Sequence, residues 1–381
     1  MDSRLYWIWL QQALGYGSGH LGTLLQAFSS PEEIFAADKK AFAACGLPRN
    51  VAARLCDKSL DTAREILRRT VMSGDWLLTP ADEAYPSLLR GIYAPPAVLY
   101  GRGAVPVFSA CPAVAVVGTR SLTRYGYDVT AMIAAGLARG GALVISGGAE
   151  GGDAVATSSA LDVGGKVVTV QACGLDVNYP AANEPLRRRT LQNGGTLLTE
   201  YPYGVKVTKG TFHVRNRLLS GMAHGVCVTE APSSSGTLIT ATFAREQGRD
   251  VFAVPGALNA PNSSGGNALI QNGAKLVRDA EEILDEYRSL FPVLTPPIKA
   301  VTASKESPTP KKPLRVAAPP MAFPMSETAS AVLAVLGVDP LPVDEIAVKA
   351  DKTVSQTLAA LTELEMLGAA VAEAGQQYRR G

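Results

Sequence analysis

The chain has 381 residues, 47% of them hydrophobic, and a formal net charge of only +2. This composition predicts two or three domains with substantial cores, and it excludes binding to nucleic acid or membranes through overall charge alone. The five scattered cysteines and three histidines have no ligand spacing, which argues against a disulfide framework and a metal site. Without a signal peptide or a membrane-length apolar segment, we expect a cytoplasmic protein that does not contact membranes.

Residues 1–72 are predicted to form a small N-terminal helical domain. Glycine turns at 14–19 and 45–48 separate helical stretches, and Ser30 followed by Pro31 is typical of a helix start. The first glycine turn resembles that of a helix–hairpin–helix (SAM-like) unit. Such units contact either the DNA backbone or other proteins, and both roles remain open.

Residues 73–287 are predicted to form one α/β domain. Two extended, proline-punctuated segments at 76–79 and 97–100 come first. Apolar runs that alternate with helical segments then follow, at 113–117, 142–145, 166–170, 196–199, 226–229 and 250–254. Short Val/Ile-rich runs indicate strands buried on both faces, so we expect an extended Rossmann-like, doubly wound and mainly parallel sheet.

Glycine, serine and threonine follow several of these strands. In a doubly wound sheet, ligands bind beyond the carboxyl ends of the strands, where helix N-termini present free N–H groups. One such turn alone indicates only tight-turn geometry, but several together predict contact with phosphate. The candidate contacts are Gly118, Thr119, Arg120, Ser146, Gly147 and Gly148, and the candidate supporting residues include Ser235, Gly236 and Thr237.

The sequence shows no machinery for catalysis. The dinucleotide, P-loop and nucleophile-elbow motifs are absent, so we expect no cofactor, no metal and no catalytic residue. Asp153 is best explained as a first-turn residue of a helix, where its charge suits the helix dipole. Glu230, at a strand end, is expected to orient a nearby arginine.

The segment 209–217 (KGTFHVRNR) concentrates cations beside an aromatic residue. Lys and Arg neutralise phosphates, and Phe212 offers a face on which an unpaired base stacks. We interpret the segment as a loop that binds single-stranded DNA. Lys209, Phe212 and Arg215 are expected to face outward, and Asn216 to hold backbone beneath the site. Arg217 either joins the DNA contacts or pairs internally with Glu230.

The end of the chain is predicted to form a proline-rich linker followed by a small folded domain. Residues 288–324 have the composition of an extended linker. Residues 325–381 read as three helices and a hairpin, which predicts a winged helix. Its third helix carries Glu363 and Glu365 and little positive charge, so contact with a protein is favoured over contact with DNA.

Ordered motifs along nearly the whole chain resemble the DNA-processing protein A (DprA/Smf) family. They include VAVVGTR ending at Arg120, CGLDVNYP at 173–180, the 212–217 segment, SGTLITA at 235–241 and VPG at 254–256. The resemblance implies a DNA-binding domain that dimerises, protects incoming single-stranded DNA and helps load the RecA recombinase in natural transformation. It places the DNA pocket on Gly118, Arg120, Lys209, Phe212, Arg215 and Arg217.

The chain departs from the family pattern in its second glycine loop. Glu150 and Gly152 stand where an arginine and an isoleucine are usual, and Thr157 stands where a histidine is common. A carboxylate near a phosphate path weakens binding, so less weight falls on this loop than on Arg120 and the 209–217 segment. The rival interpretation is a nucleotide-binding or N-glycoside-cleaving enzyme of the lysine-decarboxylase-like group, whose P-G-G-x-G-T-x-x-E run is incomplete here.

Overall fold

The computed structural model describes residues 2–292, 326–337, 339–373 and 377–380. These residues form two compact units, which fall within Met1–Ala303 and Ser304–Gly381. From residue 293 onward, the predicted linker lies outside the described residues. In the part of the chain that is described, no helix is long and apolar enough to cross a bilayer.

Residues 4–72 form six helices joined by short turns, as predicted. Ser30 caps one helix by accepting a hydrogen bond from the Glu33 amide at 3.2 Å, and Pro31 occupies its first position. Ile8, Leu24 and other apolar side chains of these helices are fully buried together. The helices are α1 (Arg4–Leu14), α2 (His20–Ala27), α3 (Pro31–Ala36), α4 (Lys39–Ala44), α5 (Arg49–Leu55) and α6 (Asp61–Met72).

A nine-stranded sheet follows, with the order β1-β2-β6-β5-β4-β3-β7-β8-β9. The pairs β1–β2 and β2–β6 are antiparallel and all other pairs are parallel, which confirms the mainly parallel sheet. The strands are β1 (Trp76–Leu78), β2 (Leu99–Gly103), β3 (Ala113–Val117), β4 (Leu143–Ser146), β5 (Val167–Val170), β6 (Thr196–Thr199), β7 (Gly225–Val228), β8 (Asp250–Ala253) and β9 (Lys275–Leu276).

Helices cover both faces of this sheet. Along β3, Val114 and Val116 pack with one group of helices, and Ala115 packs with the other. The first group includes α8 and α9, and the second includes α11 and α12. The helices are α7 (Ser87–Arg90), α8 (Arg124–Arg139), α9 (Gly152–Asp162), α10 (Glu184–Gln192), α11 (Lys209–Met222), α12 (Thr237–Glu246), α13 (Ser264–Gln271) and α14 (Glu281–Leu284).

The order of the strands reverses at β3. From β3 the chain builds outward through β4, β5 and β6, and it then returns to place β7 on the other side of β3. The connections that leave β3 and β7 therefore run to opposite faces of the sheet. Such a reversal opens a crevice at the carboxyl ends of the two strands.

The N-terminal helices pack against one side of the sheet domain. Tyr100 and Leu197 of the sheet share a buried cluster with the helical core, and the Gln11 Nε2 atom donates a hydrogen bond to the Glu200 carbonyl at 2.6 Å. A domain boundary at residue 72 remains a prediction, because the helices and the sheet share this cluster.

The C-terminal unit is a winged helix, as predicted. Val332, Ile346 and Leu361 form its buried centre, whereas Leu358, on the same helix as Leu361, is exposed. Glu363 accepts hydrogen bonds from the Ser326 amide and hydroxyl at 2.8 and 2.6 Å, so this carboxylate joins two helices. The elements are α15 (Glu327–Val335), β10 (Leu341–Pro342), α16 (Val343–Lys349), α17 (Val354–Met366), β11 (Ala370–Glu373) and β12 (Gln377–Arg380).

Candidate functional site

A cleft of about 480 Å³ opens where the strand order reverses. The turns after β3 and β7 and the first turns of α11 and α12 form its walls. Four separate sequence segments, at 117–120, 149–153, 209–219 and 232–240, therefore meet in one place. The lining residues include Gly118, Thr119, Arg120, Asp153, Lys209, Phe212, His213, Arg215, Asn216, Ser235, Gly236 and Thr237.

The basic segment 209–217 is the start of α11, so its interpretation as a loop was wrong. Thr208 accepts a hydrogen bond from the Thr211 amide at 3.1 Å, and the Thr211 hydroxyl accepts one from the Thr208 amide at 2.9 Å. This capping box satisfies two of the free N–H groups at the helix start. The positive end of the α11 dipole consequently lies at the cleft.

Phe212 is the centre of an aromatic and cationic cluster at the cleft. The Arg120 guanidinium carbon lies over its ring at 5.0 Å from the centroid, and that of Arg215 lies at 6.0 Å. Arg120 and Lys209 are exposed, and Phe212 is half-buried. The structure thus brings Arg120, Lys209 and Phe212 together, while their contact with DNA remains a prediction.

Arg215 does not face outward as expected, because its side chain is only 4% exposed. Its Nη1 atom donates hydrogen bonds to the Gly147 carbonyl at 2.5 Å and the Val170 carbonyl at 2.7 Å. Burial lowers the pKa of the Arg215 guanidinium, and the charge of Asp153 opposes that shift. Arg215 therefore supports the ends of β4 and β5 beneath the cleft.

Arg217 is internal, but its partner is not Glu230. The Arg217 Nη2 atom donates to the Glu200 Oε1 atom at 2.6 Å, and both side chains are buried. Neither proposed role for Arg217 is therefore correct as stated. Asn216 borders the cleft, and among the described residues no hydrogen bond of its side chain to backbone is found, contrary to its expected role.

Glu230 orients a helix start and not an arginine. Its Oε2 atom accepts from the Thr123 amide at 2.9 Å, and its Oε1 atom accepts from the Thr123 hydroxyl at 2.6 Å. Thr123 in turn caps α8 by accepting from the Gly126 amide at 3.0 Å. Both carboxylate oxygens are thus occupied in holding the turn that carries Arg120.

The Ser146–Gly148 turn lies below the cleft and not on its surface. Ser146 is fully buried and donates to the Val116 carbonyl at 3.0 Å, so its predicted contact with DNA is wrong. Gly147 and Gly148 are also buried, and a Cβ atom on Gly147 would lie 2.4 Å from the Asp153 Oδ2 atom. Side chains therefore separate this turn from the cleft.

Asp153 lies in the first turn of α9, as predicted. Its Oδ2 atom accepts from the Ala149 amide at 3.3 Å. Burial raises the pKa of this carboxyl, and the charge of Arg215 opposes that shift. The sequence analysis did not place Asp153 or His213 at the cleft. The helical periodicity of α11 would have placed His213 on the same face as Lys209 and Phe212.

The turns that line the cleft are tied to each other by close contacts. The Thr237 hydroxyl donates to the Gly118 carbonyl at 3.0 Å, and the Gly152 amide donates to the Thr119 carbonyl at 2.9 Å. A Cβ atom on Gly152 would lie 2.6 Å from the Gly118 Cα atom, so the backbones touch. The start of α12 at Thr237 adds a second helix N-terminus, which favours an anionic ligand. Within the described residues, no cluster of His, Cys, Asp and Glu side chains is suited to hold a metal ion.

The chain matches models of two protein families. The model described as DNA recombination-mediator protein A matches residues 76–288, and the DprA winged helix domain model matches residues 316–376. Protein Smf of Synechocystis sp. is 31% identical over 100% of this chain and 99% of its own length. Protein Smf of Escherichia coli K12 is 36% identical over 79% of this chain and 77% of its own length.

Solved structures of DNA processing protein A from two bacteria resemble this one. That of DNA processing protein A from Streptococcus pneumoniae has a TM-score of 0.63 and 31% identity, covering 74% of this chain and 97% of that one. A structure of DNA processing protein A from Helicobacter pylori has a TM-score of 0.51 and 30% identity, covering 57% of this chain and 97% of that one. The latter is described in terms of the unique single-stranded DNA binding mode of that protein.

Proposed function

The chain belongs to the DNA recombination-mediator protein A (DprA/Smf) family, and we propose on that premise that its cleft binds single-stranded DNA. This is the family that the sequence motifs resemble. Phe212 stacks on an unpaired base, and Arg120 and Lys209 neutralise the adjoining phosphates. The function is binding and not catalysis.

The observation that carries the proposal is the position of Phe212 beneath Arg120, with 5.0 Å between guanidinium carbon and ring centroid. The ring is half-buried, so part of it packs against the protein and part of it offers surface to a ligand. Exposed cations at Arg120 and Lys209 flank it, and the positive ends of α11 and α12 adjoin it. Stacking surface and phosphate-binding groups thus occur together, as contact with a nucleic acid requires.

Single strands fit this arrangement better than duplexes. A base stacks on an aromatic ring only when it has left its own stack, and such a contact contributes roughly 1–3 kcal/mol per base. Every base has a flat aromatic face, so we expect little sequence preference. Both oxygens of Glu230 accept hydrogen bonds from Thr123, so the observed role of this carboxylate is to hold the turn beside the cleft.

We further propose that the protein protects incoming single-stranded DNA and helps to load the RecA recombinase during natural transformation. This step rests on the family resemblance, as does a homodimer formed through the sheet domain. RecA contact is tested separately: a pull-down with variants that no longer bind DNA would show whether that contact depends on the cleft.

The central experiment titrates a labelled oligo-dT with protein across a salt series. We expect tight binding that weakens steeply with salt. The slope of the logarithm of the binding constant against the logarithm of the salt concentration should fall in magnitude by roughly 0.7 for each phosphate contact removed. Arg120→Ala, Lys209→Ala and Phe212→Leu should each weaken binding, whereas Phe212→Leu should leave the salt slope unchanged.

Lys166→Ala is the matched control, because Lys166 is also exposed but lies just before β5, at the opposite ends of the strands. It should bind like the parent protein. Absent or salt-insensitive binding, combined with release of a base from a nucleoside monophosphate, would instead support the rival enzyme.

A further inference from the structure

We infer that Tyr179 is a second base-stacking residue, which extends the single-stranded DNA site from the cleft towards α10. The inference rests on the proposed function. Tyr179 follows β5 and precedes α10, and it is not among the residues that line the cleft itself. In the sequence it lies in the CGLDVNYP motif at 173–180, which gives no sign of an aromatic partner, and only the fold brings it to Phe212.

The two rings form one aromatic surface. Their centroids are 5.7 Å apart and their planes are inclined by 60°. Stacked nucleotides of a strand are spaced about 3.4 Å apart, so this separation lies between one and two such steps. When one base of a strand stacks on Phe212, a neighbouring nucleotide can therefore reach Tyr179. This requires the strand to be extended beyond the spacing of stacked bases.

The main chain of Tyr179 is held from two directions. The Arg187 Nη1 atom donates to the Tyr179 carbonyl at 3.1 Å and to the Pro180 carbonyl at 3.0 Å. Asn183 donates to the carbonyls of Gly148 and Ala149 at 3.1 and 2.9 Å, which fastens the segment to the turn beside the cleft. A side chain presented on a fixed backbone loses little entropy when it binds a base.

The side chain itself retains the freedom that a contact residue needs. Tyr179 is half-buried, and among the described residues no partner hydrogen-bonds its hydroxyl. A tyrosine that served only as core packing would be buried and would have a partner for its hydroxyl group. Tyr179 thus combines an accessible ring with a polar group free to contact a base or phosphate.

Cations continue beyond Tyr179 in the same direction along the chain. A second cavity, of about 280 Å³, has Arg102, Arg187 and Arg188 in its lining, together with the carboxylates of Asp176 and Glu184. Arg188 is exposed, and its nearest carboxylate, that of Glu184, is 3.7 Å away. A strand that leaves Tyr179 along α10 therefore meets the exposed guanidinium of Arg188, which can neutralise a phosphate beside the Glu184 carboxylate.

Photo-crosslinking tests the inference on the unmodified full-length protein. An oligo-dT carrying 5-iododeoxyuridine is irradiated in the complex, and mass spectrometry identifies the linked residues. We expect adducts on both Phe212 and Tyr179, and the Tyr179 adduct should persist in Phe212→Leu. This persistence separates direct stacking from mere support of the Phe212 ring.

Binding measurements give the second test. Tyr179→Leu should weaken oligo-dT binding at least about five-fold, whereas Tyr179→Phe, which keeps the ring, should stay within about two-fold of the parent. Urea unfolding of each variant establishes that it is folded. Parent-like binding by Tyr179→Leu and no adduct on Tyr179, while Phe212→Leu loses affinity, would overturn the inference and leave the proposed function intact. A parent protein that does not bind oligo-dT would overturn the proposed function itself.

Discussion

The Arg217 Nη2 atom lies 2.6 Å from the Glu200 Oε1 atom in a buried ion pair. The same Glu200 oxygen accepts a hydrogen bond from the Gly17 amide at 3.3 Å, in the turn between α1 and α2. The pair therefore connects α11, which carries Lys209 and Phe212, to the N-terminal helices. A change at this contact alters the anchoring of the binding helix without touching the cleft.

Arg217→Met should destabilise the protein by about 3–5 kcal/mol, because it leaves the Glu200 carboxylate buried without its cation. Burial raises the pKa of Glu200, and Arg217 is the main group that opposes that shift. In the variant, the folded-state pKa of Glu200 lies further above its unfolded value. Protonation then favours the folded state, so the deficit should shrink as the pH falls from about 8 to about 5.5.

Urea unfolding at both pH values measures this effect. The double variant Glu200→Gln with Arg217→Met removes both charges and should recover much of the lost free energy of unfolding. A deficit in Arg217→Met that is independent of pH would show that lost packing, and not the unpaired carboxylate, is responsible.

Arg215→Leu should affect stability and binding together, whereas Arg120→Ala should affect binding alone. Loss of the Arg215 guanidinium leaves the carbonyls of Gly147 and Val170 unpaired, at a cost of about 1–3 kcal/mol for each buried group. Arg120 is exposed, so its removal should change the free energy of unfolding by at most about 0.5 kcal/mol. Urea unfolding and oligo-dT titration on the same preparations distinguish the two arginines. Parent-like unfolding of Arg215→Leu would refute the supporting role.

Gly152→Ala should cost about 1–3 kcal/mol, because the new methyl group would meet the Gly118 Cα atom at 2.6 Å and neither backbone can move freely. The same displacement of the Gly118 turn should weaken oligo-dT binding. Gly236→Ala is the matched control: it also lies at a helix start by the cleft, yet a Cβ atom there meets nothing within 4 Å. Thermal unfolding of the two variants compares them, and equal midpoints would contradict the close contact.

His224 should make the protein less stable in mild acid. Its Nδ1 atom accepts a hydrogen bond from the Ala113 amide at 3.0 Å, which requires an unprotonated nitrogen. Burial lowers the pKa of His224 below its ordinary value. Its contribution to stability is therefore complete above about pH 6.5, the unfolded value, and is lost as the pH falls through the folded pKa.

Asn at this position keeps an acceptor atom and cannot be protonated in this range. Between about pH 7 and pH 5, we expect His224→Asn to lose less unfolding free energy than the parent. Other titrating groups contribute equally to both proteins, so the difference in slope isolates His224. Parallel slopes in urea unfolding would exclude this role.

Much of the fold was predictable from local pattern. The runs at 113–117 and 250–254 were predicted as strands, and the structure has strands there. Short runs of apolar, β-branched residues are typical of strands that are buried on both faces of a sheet. The helix Thr237–Glu246 is marked in the sequence by a polar start and by the helical spacing of its apolar residues. The two-residue strand β9 carried too few residues for any pattern to show.

The site was predictable only in part. Arg120, Lys209 and Phe212 were identified because glycine turns and clustered cations are local features of the chain. The direction of the Arg215 and Arg217 side chains was not predicted, because it depends on which face of α11 packs against the sheet. Because we interpreted segment 209–217 as a loop and not as a helix, we did not apply the helical periodicity that directs both arginines inward.

The sequence alone determined the family, the strand pattern and the candidate groups Arg120, Lys209 and Phe212, because a local motif of neighbouring residues marks each of them. The tertiary structure decided which charges are paired. Arg217 meets Glu200 and Glu230 meets Thr123 across 17 and 107 residues of sequence. Burial makes such pairing obligatory, since an unpaired charge in the interior is costly, but only the packed fold determines which partner is within reach.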